Sequence, residues 1–230
     1  MLRKSFLHII FLIGVMTLLV SGQATHVSAG VNQWTSIGPT GGPISALVID
    51  PLMPSILYAG TGYAGIFKSV NGGQSWSQVN IGLVDTTITA LAVDPIAPAT
   101  LYAGTGWGLF KSTNSADNWV ETSPDLTVTS IDSIVIDPTM PSTLYVGTDD
   151  GVFKSKDGGD SWSAVSDDYV NALAIDSLDT SILYAGTWFG ELLKSTNGGA
   201  NWSLLTNAPG VGVITTIATD PAHPGTLYLG

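Results

Sequence analysis

An eight-residue phrase ending in tryptophan recurs four times along this chain. Its tryptophans, at positions 76, 119, 162 and 202, stand 43, 43 and 40 residues apart. A fixed period of this length indicates a repeat protein, in which each unit buries its apolar faces against its neighbours. We call the four phrases octets; they occupy residues 69–76, 112–119, 155–162 and 195–202. The fold must therefore be built from units of about 43 residues.

Three further phrases repeat with the octets. Each unit starts with an apolar stretch ending in Asp, continues with a Leu-Tyr-x-Gly segment, and reaches the octet through a stretch ending in Lys-Ser. A fifth copy contains the first two phrases, up to Gly230. The apolar stretches cover residues 44–50, 88–94, 131–137, 170–176 and 213–220, and the Leu-Tyr-x-Gly segments begin at Leu57, Leu101, Leu144, Leu183 and Leu227.

The pattern in each unit predicts four short β-strands. β-Branched and aromatic residues form runs of four to seven residues, and Gly, Pro, Asn and Asp separate the runs. In the first copy we expect strands near residues 44–50, 56–61, 65–69 and 75–79. Four antiparallel strands with apolar inner strands are typical of a propeller blade. The prediction is an all-β propeller with complete blades at 44–80, 88–122, 131–165 and 170–205 and a partial blade at 213–230.

The first thirty residues differ from the repeats. Two basic residues, at positions 3 and 4, precede an apolar run at 6–20, and the small residues 27–29 follow. This order is typical of a secretory signal peptide, whereas a membrane-spanning helix needs about 20 apolar residues. We predict a signal peptide at 1–29, cleaved after Ala29 or alternatively after Ala24. The mature chain, 30–230, is then secreted or periplasmic, without a membrane span.

Residues 33–37 resemble the segment around each octet tryptophan, such as Trp76 to Val79, although no blade precedes them. Many propellers close their ring with an orphan outer strand of this kind. Closure onto the partial fifth blade would leave that blade one strand short. We therefore expect the sequence to be a fragment of a propeller with six or more blades.

The composition excludes several kinds of chemistry. Beyond residue 29 the chain has 5 Lys and 18 acids, so its net charge of −13 repels nucleic acid and anionic lipid. It contains no cysteine, its only arginine is Arg3, and His223 is the only histidine after Ala29. These absences argue against Ser/His/Asp or Cys/His nucleophiles and against His/Cys metal centres. We expect no cofactor.

The octet resembles a known family signature. Residues 155–162 match Ser-x-Asp-x-Gly-x-x-Trp, the Asp-box or BNR repeat of sialidase-like propellers. The other octets have Asn at the Asp position, and the second also has Ala116 where Gly is expected. The surrounding Asp-Pro, Leu-Tyr-Ala-Gly-Thr and Phe-Lys-Ser phrases look most like bacterial propellers related to xyloglucan-hydrolysing enzymes, sortilin-type receptors and the photosystem II assembly factor family. In this family the boxes lie away from the ligand pocket, so the resemblance implies a fold and not a reaction.

The chemistry of the octet is that of a turn. Asn or Asp at its third position can accept backbone N–H groups, Gly supplies positive φ, and the Trp can pack between blades. We therefore predict a structural role for Ser69, Asn71, Trp76, Ser112, Asn114, Trp119, Ser155, Asp157, Trp162, Ser195, Asn197 and Trp202.

Positions that differ between the copies are free of this shared role. The turn between the second and third strands and the connection between blades differ most. In a propeller both emerge on one face, which we call the mouth. Aromatic rings that stack on sugars, beside acids that accept hydroxyl groups, suit a carbohydrate, although ordinary exposed rim residues are the alternative interpretation. The candidate ligand-binding residues are Tyr63, Trp107, Asp149, Asp150, Trp188, Phe189 and Glu191.

Three functions are compatible with these residues. We favour a secreted, non-catalytic binding or scaffold module whose partner is a polysaccharide or an extracellular protein. A glycoside hydrolase related to the xyloglucan-cleaving propellers is an alternative, but it needs two facing carboxylates and the sequence identifies no such pair. A receptor-like module for peptides or proteins is the other alternative. A sialidase is disfavoured, because the resemblance implies three substrate-binding arginines and the mature chain has none.

Overall fold

The computed structural model describes residues 37–122, 126, 130–207, 212–223 and 225–230. The predicted signal peptide, and all of the predicted outer strand except Ile37, lie outside these residues. Within the described part of the chain, no helix has the length and apolar character needed to cross a membrane.

Four four-stranded sheets follow one another along the chain, and a two-stranded sheet follows them. Neighbouring strands in each sheet are antiparallel and pair in sequence order. The predicted all-β propeller architecture, with four complete blades and a partial one, is confirmed.

The strands are numbered in chain order. Blade 1 comprises β1 (Ile44–Ile49), β2 (Leu57–Thr61), β3 (Gly65–Ser69) and β4 (Ser77–Gln78), and blade 2 comprises β5 (Ile88–Val93), β6 (Leu101–Thr105), β7 (Gly108–Ser112) and β8 (Val120–Glu121). Blade 3 comprises β9 (Ile131–Ile136), β10 (Leu144–Thr148), β11 (Gly151–Ser155) and β12 (Ser163–Ser166), and blade 4 comprises β13 (Val170–Ile175), β14 (Leu183–Thr187), β15 (Glu191–Ser195) and β16 (Ser203–Asn207). Blade 5 comprises β17 (Ile217–Thr219) and β18 (Leu227–Leu229).

The outer strand of blade 1 is shorter than the sequence predicts. We expected it at 75–79, but β4 covers only Ser77 and Gln78. Ser75 belongs instead to the octet turn, because its amide donates to Asn71 Oδ1 at 2.9 Å. The hydrogen bond to the Asn71 side chain therefore places Ser75 in the turn and not in the sheet.

The glycine of each Leu-Tyr-x-Gly phrase lies where two blades meet. A Cβ added to Gly104 would be 2.8 Å from Ile131, the first residue of the next inner strand. Gly60, Gly147 and Gly186 lie in the same way against Ile88, Val170 and Ile214. Glycine at this position lets adjacent blades approach closely enough to bury the apolar faces of their inner strands.

The aspartate that ends each apolar stretch closes a turn with its own side chain. Asp50 Oδ1 accepts the amides of Leu52 and Met53, both at 2.9 Å. Asp94, Asp137, Asp176 and Asp220 each accept two backbone amides in the same arrangement. These bonds make the aspartates structural, and Asp50, Asp94, Asp137 and Asp176 are buried.

Each octet forms a hydrogen-bonded turn at the same end of its blade as these aspartates. In the third octet, Ser155 Oγ accepts the Gly159 amide at 2.9 Å and donates to Asp157 Oδ1 at 2.8 Å. Asp157 Oδ1 in turn accepts the Ser161 amide at 2.9 Å. The other three octets contain the equivalent bonds. We call this end of the blades the octet face.

In blades 1, 2 and 3, a tyrosine and a lysine bind the octet of the next blade. Tyr102 and Lys111 are cross-strand partners on β6 and β7, and both donate to the Gly158 carbonyl oxygen, at 2.9 and 2.7 Å. The lysine Nζ lies 5.7 Å from the tyrosine ring centroid, within cation–π range. We call this arrangement the Tyr–Lys clamp. It recurs as Tyr58 and Lys68 on Ser115, and as Tyr145 and Lys154 on Gly198.

Burial affects the ionisation of the clamp residues. It raises the pKa of Tyr102 and of Tyr145 to about 12, so both remain neutral donors at physiological pH. Burial also lowers the pKa of Lys154, and nearby Asp137 acts in the opposite direction. The clamp therefore connects adjacent blades through partly desolvated groups that bond a main-chain oxygen.

Candidate ligand-binding site

The mouth is built from two kinds of segment that contact each other. In blade 1 the amide of Gly65 donates to the Thr86 carbonyl oxygen at 2.9 Å, and Thr86 Oγ1 donates to the Tyr63 carbonyl oxygen at 3.1 Å. In blade 4 the amide of Trp188 donates to the Tyr169 carbonyl oxygen at 3.1 Å. The turn after the second strand and the connection between blades thus form one face, opposite the octet face.

A buried threonine shapes each turn at the mouth. Thr148 Oγ1 donates to the Gly151 carbonyl oxygen at 2.8 Å and accepts the Asp150 amide at 3.1 Å. Gly151 has φ +120°, a conformation that favours glycine. Thr61, Thr105 and Thr187 occupy the equivalent position, and Gly65, Gly108 and Gly190 have positive φ. These shared threonines and glycines fix the backbone of each turn, and the turn residues that differ between blades point to solvent.

Five of the seven predicted ligand-binding residues are wholly or partly exposed to solvent at the mouth. Tyr63, Trp107 and Phe189 are 76–78% exposed, and they lie in the mouth turns of blades 1, 2 and 4. Asp150 is exposed in the blade 3 turn, and Glu191 is half-buried at the start of β15. These five residues lie on the predicted face.

Trp188 and Asp149 belong instead to a cluster at the seam between blades 3 and 4. The Trp188 ring stacks on Tyr169, with centroids 5.4 Å apart and planes 14° from parallel. Burial raises the pKa of Tyr169, and the charges of Asp132 and Asp149 raise it further. Blade 3 thus contributes two carboxyl groups close enough to affect the pKa of Tyr169, and Tyr169 stacks on Trp188 of blade 4.

The pKa of Asp132 is raised above its ordinary value. Burial raises its pKa, the 2.7 Å hydrogen bond from Ser130 Oγ opposes this, and the nearby Asp149 charge raises the pKa again. Among the described residues, Asp132 Oδ2 is buried without a hydrogen-bond partner, as is Oδ1 of Asn171 on the neighbouring inner strand. Buried acceptors of this kind commonly bind an ordered water. We call Asp132, Asp149, Tyr169 and Trp188 the seam site.

Our sequence reasoning missed Asp132 and Asn171, which occupy the second position of their inner strands. In blades 1 and 2 that position holds hydroxyl residues that bond the next inner strand: Ser45 donates to the Ile88 carbonyl oxygen, and Thr89 to that of Ile131 at 2.5 Å. Blades 3 and 4 replace these donors with Asp and Asn. Comparing the copies along the inner strand, and not only in the turns, would have revealed the change. Tyr169 lies in a connection that the sequence comparison had noted as different.

Charge is distributed unequally between the two faces. The described lysines, at positions 68, 111, 154, 156 and 194, lie on the octet side of their blades. The mouth segments contain Asp85, Asp132, Asp149, Asp150, Asp167, Asp168 and Glu191. This excess of carboxylates disfavours the binding of anionic ligands at the mouth and is compatible with neutral or cationic ligands.

The described residues contain no group of three or more His, Cys, Asp or Glu side chains placed to hold a metal ion. A groove on the octet face is lined by residues that include Asp137, Lys154 and Asn197. The side chains of Asp137, Lys154 and Asn197 already take part in the turn and clamp bonds described above. The mouth therefore offers the better candidate site.

Comparison with solved structures identifies propellers. The chain aligns with an ancestral GH74 enzyme at 28% identity and a TM-score of 0.66, over 77% of this chain and 25% of that structure. It aligns with the GH74 xyloglucanase of Xanthomonas campestris at 20% identity and a TM-score of 0.64, over 74% of this chain and 31% of the enzyme. The extracellular domain of BT4673 from B. thetaiotaomicron aligns at 17% identity and a TM-score of 0.65, over 89% of this chain and 27% of that one.

No protein-family model and no curated protein matches the chain. The chain spans about a quarter to a third of the length of the three solved structures described above. It is therefore similar to part of a GH74-type propeller, in agreement with the resemblance seen in the sequence.

Proposed function

We propose that this protein is a polysaccharide-binding propeller module, and that its seam site holds a neutral sugar chain. The observation that carries the proposal is the stacked Tyr169–Trp188 pair, which lies beside two carboxyl groups at the mouth. Trp188 is 47% exposed, so the pair retains an open ring surface. Aromatic surfaces of this kind stack on the C–H faces of sugars.

The polar groups of the seam site complement this surface. Asp132 Oδ2 is a buried acceptor without a described hydrogen-bond partner, and an ordered water can link it to a sugar hydroxyl. The acidic mouth argues for a neutral polysaccharide over an anionic one. Two of the similar structures are named as GH74 enzymes, one of them a xyloglucanase, which makes xyloglucan a rational first ligand to test.

Affinity electrophoresis or calorimetry with xyloglucan tests this proposal. Trp188→Ala should weaken binding about tenfold, since a stacked ring contributes roughly 1–1.5 kcal/mol, whereas Trp188→Phe should retain most of the affinity. Met140→Ala is a matched control, because it truncates an exposed apolar side chain on the octet face. Unchanged binding by Trp188→Ala would contradict the seam site, and absence of xyloglucan binding by the wild type would point to another partner.

A glycoside hydrolase is the second candidate, and the Asp132–Asp149 pair is the observation that favours it. Burial raises the pKa of Asp132 and the nearby Asp149 charge raises it further, against the hydrogen bond from Ser130, and a carboxyl group with a raised pKa is what a general acid requires. A proton donor and a carboxylate base are the two groups that glycoside hydrolysis needs.

Release of reducing sugar from xyloglucan separates the two candidates. If the protein is an enzyme, Asp132→Asn or Asp149→Asn should lower kcat about 100-fold or more, while Asp160→Asn on the octet face should leave it unchanged. Binding without sugar release by the wild type would leave the binding module as the function.

A further inference from the structure

Two of the four octets contain asparagine followed directly by glycine, at residues 71–72 and 197–198. The turn requires this glycine, because its φ is 69° in the first octet and 65° in the fourth, in the left-handed region. At the equivalent of the asparagine, the third octet has Asp157. Asparagine followed by glycine is the sequence most open to deamidation, since glycine has no side chain to shield its backbone nitrogen. The fold therefore places a chemically reactive pair in a turn that it needs.

Deamidation joins two groups that are neighbours in the fourth octet. The backbone nitrogen of Gly198 gives up its proton to hydroxide and attacks Cγ of Asn197, so that a C–N bond forms and the Cγ–Nδ2 bond breaks with release of ammonia. Water then opens the resulting five-membered imide at either carbonyl carbon, which yields aspartate or isoaspartate. Water is the only co-reactant that is consumed, so the reaction proceeds wherever this nitrogen can reach the side chain.

In the folded octet both reacting groups are held in other hydrogen bonds. The Gly198 amide donates to the Ser181 carbonyl oxygen at 2.8 Å. Asn197 Oδ1 accepts the hydroxyl group of Ser195 at 3.0 Å and the amide of Asn201 at 2.9 Å. Attack requires the first bond to break and the carboxamide to turn toward the Gly198 nitrogen. The Asn197 side chain is exposed to solvent, so it is these bonds that protect it.

The Tyr–Lys clamp of blade 3 holds the same turn. Tyr145 and Lys154 donate to the Gly198 carbonyl oxygen at 2.9 and 2.6 Å, so the residue that supplies the attacking nitrogen is anchored to the preceding blade. A movement that frees the Gly198 nitrogen displaces its carbonyl oxygen as well, and is therefore opposed by the clamp. Opening of this turn is thus coupled to the contact between blades 3 and 4.

We propose that Asn197 is a modification site that the clamp protects, and that it deamidates when the contact between blades 3 and 4 opens. The aspartate product can re-form the octet, because Asp157 makes the equivalent bonds with Ser155 and Ser161 in the third octet. The isoaspartate product cannot do so, since it adds a methylene group to the main chain of the turn. Opening of this seam therefore leaves a permanent chemical change.

Peptide mapping by mass spectrometry tests the proposal on the intact protein. The wild type is incubated in mildly alkaline buffer, either folded or unfolded in guanidinium chloride, and conversion of amide to acid at Asn197 and Asn71 is followed with time. Asn197 should convert at least about tenfold more slowly in the folded protein, because the bonds described above must first break. Tyr145→Phe should raise the folded-state rate at Asn197 about fivefold, since it removes one hydrogen bond of the clamp, and should leave the rate at Asn71 unchanged.

Tyr102→Phe is the matched control, because it removes the same hydroxyl group from the clamp on the third octet and should leave both rates unchanged. Circular dichroism shows whether each variant is folded, and Lys154→Met replaces Tyr145→Phe if that variant is not. Equal rates at Asn197 in the folded and unfolded protein, no acceleration by Tyr145→Phe, or an equal acceleration at Asn71 or by Tyr102→Phe would overturn the proposal. Xyloglucan binding at the mouth is measured separately and does not depend on this result.

Discussion

The pKa values of acidic residues are shifted in opposite directions on the octet face and at the mouth, although the same blades form both faces. On the octet face the pKa values of Asp157, Asp179 and Asp220 are lowered by hydrogen bonds from side chains and backbone amides of their own turns. At the mouth the pKa of Asp132 is raised, chiefly by burial. These octet-face carboxylates are bonded within their own turns, whereas Asp132 Oδ2 is buried without a hydrogen-bond partner among the described residues.

Deleting an octet hydroxyl should have the largest effect on stability. Ser155→Ala removes the acceptor of the buried Gly159 amide and the donor to Asp157. We expect the free energy of unfolding to fall by about 2 kcal/mol, because a buried N–H group is left unsatisfied. Urea denaturation measures this, and Asp150→Ala at the mouth should change it by less than about 0.5 kcal/mol. Equal losses in the two variants would remove the distinction between the faces.

Acidification should weaken the octet face through Asp157. Hydrogen bonds, first that from the Ser161 side chain, lower its pKa from 3.8 to about 2. A depressed folded-state pKa stabilises the fold above the unfolded value, and this contribution disappears as pH falls from about 4 to about 2. Asp157→Asn, which copies the other three octets, should therefore melt lower than the wild type at pH 7. The gap should close by pH 2, and a gap independent of pH would contradict this assignment.

At the mouth, the stability of the fold is expected to change with pH in the opposite direction. Because the folded-state pKa of Asp132 is raised, the wild type loses stability as pH rises from the unfolded value of 3.8 through the folded value. Asp132→Asn should then raise the melting temperature at pH 7 and have little effect below pH 3, where the acid is protonated in both states. A lower melting temperature at pH 7 would show that the carboxylate stabilises the fold. Melting curves at several pH values, without ligand, provide the measurement.

The smallest effect is expected from the strained second octet. Ser115 has φ 60° and Ala116 has φ 70°, in the left-handed region where the other octets carry glycine. Ser115→Gly should relieve about 1 kcal/mol of strain but increase the entropy of the unfolded chain by a similar amount. We expect a net gain of a few tenths of a kcal/mol, measured by urea denaturation. A loss above about 1 kcal/mol would mean that the Ser115 side chain has a further role.

The fold could be predicted because each unit repeats the same short-range signals. The octet turn, the aspartate turn and the strand alternation are local, and the requirement that neighbouring blades cover each other follows from repetition. The seam site was predicted only in part. Trp188 and Asp149 were found because they lie in differing turns, but the proximity of Asp132 to Tyr169 depends on how two blades pack. A strand pattern does not encode that packing.

The Tyr–Lys clamp has a consequence for how such chains can change in length. Its acceptor is a main-chain oxygen, at Ser115 in one octet and at Gly158 and Gly198 in the next two. A blade is therefore recognised by the path of its backbone and not by a side chain specific to one position. We expect a duplicated or deleted unit to retain the clamp contact on both sides, because that contact requires no particular side chain in the octet. Blades of this type can be exchanged as modules, while their mouth turns diverge independently.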